Sequence, residues 1–123
     1  MGIVNKFVSS AGGAGPTVVI APVAATPDTN DIHLTDFGGT CRGAAATTTL
    51  SLQGSTDGFV LSIIGLDQIE IPTVGTIIKT FARPILIRPG QSFRVVAAQG
   101  TPGPFSVTVL GETAESLVNI TDL

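Results

Sequence analysis

Apolar and polar residues alternate most cleanly near the carboxyl terminus, where Phe105, Val107 and Val109 interleave with Ser106 and Thr108. A period of two puts one set on a buried face and the other toward water or a partner, so this segment reads as a half-buried strand. It belongs to a longer stretch, 84–111, that predicts three short antiparallel strands. Arg88-Pro89-Gly90-Gln91 and Gly100-Thr101-Pro102-Gly103-Pro104 separate them with residues that fix φ or permit positive φ where a chain reverses.

The same reading upstream predicts strands over 17–23, 32–37, 46–53, 59–66, 76–82 and 85–87, with a minor one at 69–71. In 46–53, Thr48, Leu50 and Leu52 face one way while Thr49, Ser51 and Gln53 face the other. In 32–37, by contrast, no clean inside and outside emerges. Some segments are apolar on both faces: Phe59, Leu61 and Ile63 share one side, Val60 and Ile64 the other, and Ile77 and Ile78 point opposite ways. Short strands at regular spacing predict an all-β fold, an antiparallel β-sandwich of jelly-roll-like type. A two-layer sandwich covers one face of each sheet. The other apolar faces are then covered by loops, by an arm or by another chain.

Domain organisation follows from where the strand pattern stops. Residues 1–16 hold a short apolar segment and then Ser9-Ser10-Ala11-Gly12-Gly13-Ala14-Gly15-Pro16, expected as a flexible N-terminal arm on a glycine-rich tether. Residues 17–111 form the sandwich domain. Residues 112–123 are expected as a short C-terminal tail, since Leu117 and Ile120 recur at helical spacing but the segment is too short for a stable helix.

Composition changes the picture of the surface. Only 12% of residues are charged and 43% are hydrophobic, against about 25% charged in ordinary soluble domains. Such a surface favours burial against a partner. Six basic and nine acidic residues give a net charge of -3 with no basic cluster, which argues against nucleic acid as a partner. No apolar run reaches the roughly 20 residues needed to cross a bilayer, so no membrane partner is expected. Ile3, Val4, Phe7 and Val8 do not build the apolar block of a signal peptide. Cys41 is the single cysteine and excludes an intrachain disulfide.

Candidate chemistry is sparse. Asp28, Asn30 and Asp31 supply oxygen ligands, but their spacing lacks the glycine and distal glutamate of a calcium loop. His33 is the only histidine. A nucleophilic scheme would run through it, with Cys41 or a serine as nucleophile and Asp31 or Asp36 as orienter, yet no nucleophile elbow accompanies it. Asp57, Asp67 and Glu70 are carboxylates without the aromatic platform that sugar sites use, since Trp and Tyr are absent. Gly12-Gly13-Ala14-Gly15 lacks the Lys-Ser/Thr of a phosphate loop. Arg83, Arg88 and Arg94 are candidates to pair with Asp67, Glu70, Glu112 or a neighbouring subunit. The expectation is therefore no enzyme, no metal and no cofactor.

TLSLQGSTDGF, residues 49–59, and FARPILIRPGQSFRVVAAQGTPGPFSVTVLG, residues 81–111, resemble small β-sandwich structural proteins of tailed-phage virions, in particular capsid decoration or cement proteins. The resemblance spans 45–111 and lies in short Thr/Val-rich strands, Gly-Pro turns and a missing active site. It implies a homo-oligomer, often a trimer, that sits on the outside of the capsid, binds the major capsid protein and braces the shell. It also implies synthesis in the host cytoplasm and a final place in the virion. The expected interface residues are Ile3, Val4, Phe7 and Val8 of the arm, Val60, Ile64 and Ile78 of the strand faces, and Leu117, Val118 and Ile120 of the tail. Other roles open to the same fold are a tail, neck or head-fibre component, or a carbohydrate- or peptide-binding module at a host surface.

Overall fold

A computed structural model of the protein describes residues 2–8, 17–25, 31–42, 47–99 and 104–113. These residues form eight strands: β1 (Gly2–Val8), β2 (Thr17–Ala24), β3 (Ile32–Arg42), β4 (Thr48–Ser55), β5 (Ile64–Ile71), β6 (Val74–Ile87), β7 (Ser92–Gln99) and β8 (Phe105–Thr113). Two four-stranded sheets result, in the orders β1-β8-β3-β6 and β2-β7-β4-β5. Every pairing is antiparallel. The first strand pairs with the last, the second with the seventh, the third with the sixth and the fourth with the fifth. A long hairpin nested in this way and rolled into two layers is a jelly roll, the β-sandwich that the alternation predicts.

The core lies between the sheets. Phe37, Phe93 and Phe105 are fully buried there with Leu34, Leu50, Leu52 and Val107. In β4, Thr48, Leu50 and Leu52 point inward as their spacing requires. In β8, Phe105, Val107 and Val109 do the same. β3 follows a less regular course. A register shift between Leu34 and Asp36 inserts Thr35 as a bulge, so Ile32 and Leu34 are followed inward by Phe37 and Cys41. One extra residue reverses the phase of the alternation, which is why no single period fits 32–42.

Two glycines set the spacing at the middle of β3. A Cβ on Gly39 would collide with the Ser106 carbonyl oxygen of β8 and lie 2.9 Å from Leu50 Cδ1 and 3.0 Å from Ile71 Cδ1 of the opposite sheet. The missing side chain thus lets both leucine and isoleucine reach across the sandwich. On the outer side, Ile78 of β6 lies over Gly38, 2.5 Å from where a Cβ would stand.

Three expectations change. Residues 2–8 are not an arm: they form edge strand β1, paired from Gly2↔Gly111 to Val8↔Phe105, because the open edge of β8 offers hydrogen-bond partners to their backbone. The tether at 9–16 lies outside the described residues, as does the tail beyond Thr113, whose first residues extend β8. Residues 76–82 and 85–87 join into one strand, β6, across Pro84. Among the described strands it pairs only with β3, and an edge tolerates a residue without an N–H. Finally, 59–63 is a loop, and β5 begins at Ile64.

Candidate interaction surface

The loop between β4 and β5 is built around one carboxylate. Asp57 Oδ2 accepts the Leu61 N–H at 2.9 Å, and Oδ1 accepts the Val60 N–H at 3.2 Å. The Ser62 N–H lies 3.1 Å from both oxygens. Ser55 completes the arrangement, its hydroxyl donating to Asp57 Oδ1 at 2.8 Å and accepting the Phe59 N–H at 2.9 Å. These bonds favour the ionised form. The Ser55 hydroxyl and then the Leu61 amide hold the Asp57 carboxyl below the usual carboxylate range, although partial desolvation opposes them.

Gly58 and Phe59 both take left-handed backbone conformations, at φ 70 and 67. For a phenylalanine this costs roughly 1–2 kcal/mol. It persists where surrounding contacts over-determine the geometry, and here Arg94 supplies one. Its guanidinium carbon stands 4.1 Å from the Phe59 ring centroid while its Nε donates to Gln53 Oε1 at 2.9 Å. The chain therefore turns sharply after Gly58 instead of running on as a strand, and the side chains that follow face solvent. Leu61 is 90% exposed, Val60 77% and Ile63 58%.

Because the Asp57 contribution comes from a lowered carboxyl, it is complete above the unfolded carboxyl's range and is lost as pH falls through the lowered folded value. Acidification is expected to raise backbone mobility at Val60, Leu61 and Ser62 before the sandwich unfolds, and Asp57→Ala is expected to do so at neutral pH. Nitrogen-15 relaxation at these three amides checks both. Unchanged relaxation in the variant would remove the carboxylate from its organising role.

Beside the loop runs a shallow groove of about 130 Å³, lined by Ser55, Thr56, Ile64, Leu66, Leu86 and Gln91 among others. The adjoining turn, Arg88-Pro89-Gly90-Gln91, is type II in character: Gln91 N–H donates to Arg88 O at 2.8 Å and Gly90 has φ 90. Along β6 the exposed apolar positions continue through Leu86, Ile78 and Val74. Around the register shift of β4 and β5, a second cleft of about 340 Å³ is lined by Ser51, Gln53, Gly65, Asp67 and Gln68. Asp67 Oδ1 pairs with Lys79 Nζ of β6 at 2.9 Å, tying the two sheets across their open edge, and its Oδ2 is buried without a hydrogen bond.

The residues with chemical potential stay apart. His33 and Cys41 lie on the same strand eight positions apart, on the order of 26 Å at ~3.3 Å per residue. His33 is half-buried, opposite Leu86 in the register. Cys41 points inward, its thiol donating to Thr48 Oγ1 at 3.1 Å, and Gln99 Nε2 donates to the same oxygen at 2.8 Å. Asp57 has its lone pairs engaged by its own loop, and Glu70 is exposed on β5. Asp28 and Asn30 fall outside the described residues. Among the described residues no group of three or more His, Cys, Asp or Glu is placed to hold a metal ion. Of the acids expected to pair with arginine, Asp67 is taken by Lys79, and Arg94 takes Gln53 and Phe59; the side chain of Glu112 lies outside the described residues.

Of the expected interface residues, Val60, Ile64 and Ile78 are exposed. Ile3, Val4, Phe7 and Val8 are positions of β1, and Leu117, Val118 and Ile120 lie outside the described residues. Sequence reasoning missed Leu61, Ile63 and Leu86. The signal for the first two was Ser55-Thr56-Asp57-Gly58, a serine and an aspartate placed to bond to following amides.

No family model matches the chain, and no curated protein does. One similar solved structure comes from work titled "Bacillus endospore appendages form a novel family of disulfide-linked pili". It is 18% identical, with a TM-score of 0.41, over 87% of this chain and 85% of that chain. The likeness is diffuse, between β-rich chains, and at that score it carries no argument about this chain's role.

Proposed function

We propose that this protein is a structural subunit that works by contact: it associates with copies of itself and docks on a larger assembly, with no catalytic chemistry. The observation that carries this reading is the loop at 56–63, where a carboxylate network holds Val60, Leu61 and Ile63 out into solvent. Left free, such exposure is unfavourable, and a rigid apolar projection gains most from a partner because little entropy is lost on docking. Fully burying each of these side chains contributes about 1.5–3 kcal/mol, against an association cost of about 4–15 kcal/mol. A single contact is weak, and many copies on one scaffold make it effective.

In its specific form, the proposal is a decoration protein on the outside of a phage capsid. It would act there as a homotrimer bound to the major capsid protein, after synthesis in the host cytoplasm. The sequence resemblance and the low charge support it. Immunogold electron microscopy of particles from cells producing the protein tests it, with label expected over the outer shell. Label confined to tails, necks or non-viral filaments would overturn the capsid role and leave the structural one.

A second reading, a host-surface carbohydrate-binding module, rests on the cleft at Ser51, Gln53, Asp67 and Gln68, against the absence of the Trp and Tyr platform that sugar sites use. Specific hits on a glycan array, lost in Gln53→Ala, would establish it.

A further inference from the structure

One free edge of each sheet runs along the same open side of the sandwich. β5 ends one sheet and β6 the other, and among the described strands each has a single ladder partner, β4 and β3. Across that open side two charges face inward. Asp67 stands opposite Leu52 and Lys79 opposite Phe37 in the register, so each shares the face of a fully buried neighbour. Lys79 Nζ reaches Asp67 Oδ1 at 2.9 Å, with the lysine side chain 51% exposed and the aspartate 13%. We infer that this pair is a guard against strand addition: it keeps an extended strand of another copy of this chain from pairing along β5 or β6. The inference goes beyond the proposed self-association, because it names a side of the molecule from which association is excluded.

Three observations carry it. First, the edge needs a guard. Thr76-Ile77-Ile78-Lys79-Thr80-Phe81 is a run of β-branched and aromatic residues broken by one charge, and an edge strand of that composition is a template for further pairing. Second, folding does not account for the pair. A period of two reserves these inward positions for apolar side chains, as Ile69 and Ile71 show on β5 and Ile77 and Phe81 on β6. Asp67 Oδ2 is buried with no hydrogen bond, which lowers stability. Two apolar side chains would hold the sheets together at least as well. A strand laid along either edge, however, would strip the remaining water from Lys79 and leave both ions desolvated. Third, irregularities accompany the pair on both strands. Leu66 is an extra residue in β5, between Gly65 opposite Gln53 and Asp67 opposite Leu52. In β6, residues 81–84 stand against Thr35 alone, and Pro84 has no N–H to offer. A straight partner strand therefore finds no continuous ladder on either edge.

The test compares full-length variants of unchanged net charge, incubated at one concentration with thioflavin T. Asp67→Leu with Lys79→Met is expected to keep a thermal midpoint at or above that of the parent and yet to assemble. Dye fluorescence and a fibre reflection at about 4.7 Å should appear in it, where the parent gives neither. Asp67→Lys with Lys79→Asp keeps inward charges in exchanged places and is expected to stay unassembled. Gln68→Leu with Thr80→Leu adds comparable apolar bulk at neighbouring exposed positions of the same strands, and it is also expected to stay unassembled. If the apolar pair folds and does not assemble, or the Gln68/Thr80 variant assembles as readily, the guard is wrong. Assembly of the exchanged pair at a midpoint like the parent's overturns it as well. Should the apolar pair lose the fold, Asp67→Asn with Lys79→Gln decides, since it removes both charges at nearly equal size; assembly supports the guard and its absence overturns it. Association of the parent through exposed side chains is read separately by sedimentation, so failure here leaves the functional reading standing.

Discussion

Gly39→Val is expected to destabilise the sandwich by at least about 4 kcal/mol, a large part of the margin of a domain whose total is about 5–15 kcal/mol. The cause is local and directional. The new Cβ would meet the Ser106 carbonyl, which belongs to the ladder between β3 and β8 and cannot rotate away. It would also displace Leu50 and Ile71, both fully buried and both from the facing sheet, so relief on one side creates strain on the other. Gly65→Ala is the matched control, because nothing lies within 4 Å of its added Cβ. That change should fall within about 0.5 kcal/mol of neutral. Urea unfolding of the two variants against the parent measures the difference. Equal midpoints would mean that the sheets do not approach at Gly39 as described.

The second large effect is on association and leaves stability alone. Joint replacement of Val60, Leu61 and Ile63 by serine removes the apolar projection but keeps the Asp57 network, whose acceptors are backbone amides. Self-association is expected to weaken by a factor on the order of 100 or more, since each side chain contributes up to ~1.5–3 kcal/mol when buried and each 1.4 kcal/mol is tenfold. At chain concentrations low enough for the parent to be monomeric, the urea midpoint should not fall, because these side chains are exposed in the single chain. A variant that associates as tightly as the parent would show that the contact lies elsewhere, with the outer face of β6 at Ile78 and Val74 next in line.

Much of this fold is legible in the sequence because its physical signals are local. Leu50 and Leu52 alternate with Ser51 and Gln53, and Phe105, Val107 and Val109 with Ser106 and Thr108; burial follows that period at each of these positions. Pro89-Gly90 marks a type II turn through the φ values each residue prefers, and the turn forms there. Other features depend on contacts distant in sequence. Residues 2–8 look like an arm because their partner, β8, lies about a hundred positions away, and nothing short of pairing reveals the edge they fill. The bulge at Thr35 inverts the phase of β3, so a search for one period over 32–42 finds none.

The candidate surface was hidden by a related effect. Phe59 to Ile64 has the β-branched, apolar composition of a strand, and propensity alone assigns it to one. What turns it into a loop is a left-handed Phe59, unfavourable in isolation, held by Ser55, Asp57 and Arg94. The apolar character that predicts burial is thereby placed in solvent. Val60 and Ile64 were legible as interface candidates because two-sided apolar strands need a second cover. Leu61 and Ile63 were not, since a strand would have turned them inward.

Under the proposed function, apolar contact between copies, and not chemistry at a site, is what this chain supplies. Sedimentation equilibrium of the parent protein, over a concentration series at low and at high sodium chloride, tests it most directly. A species heavier than the 12.5 kDa chain is expected at micromolar concentration, equally or more populated at high salt, because burial of uncharged surface is not screened. A 12.5 kDa monomer throughout, or an oligomer that dissociates as salt rises, would contradict it.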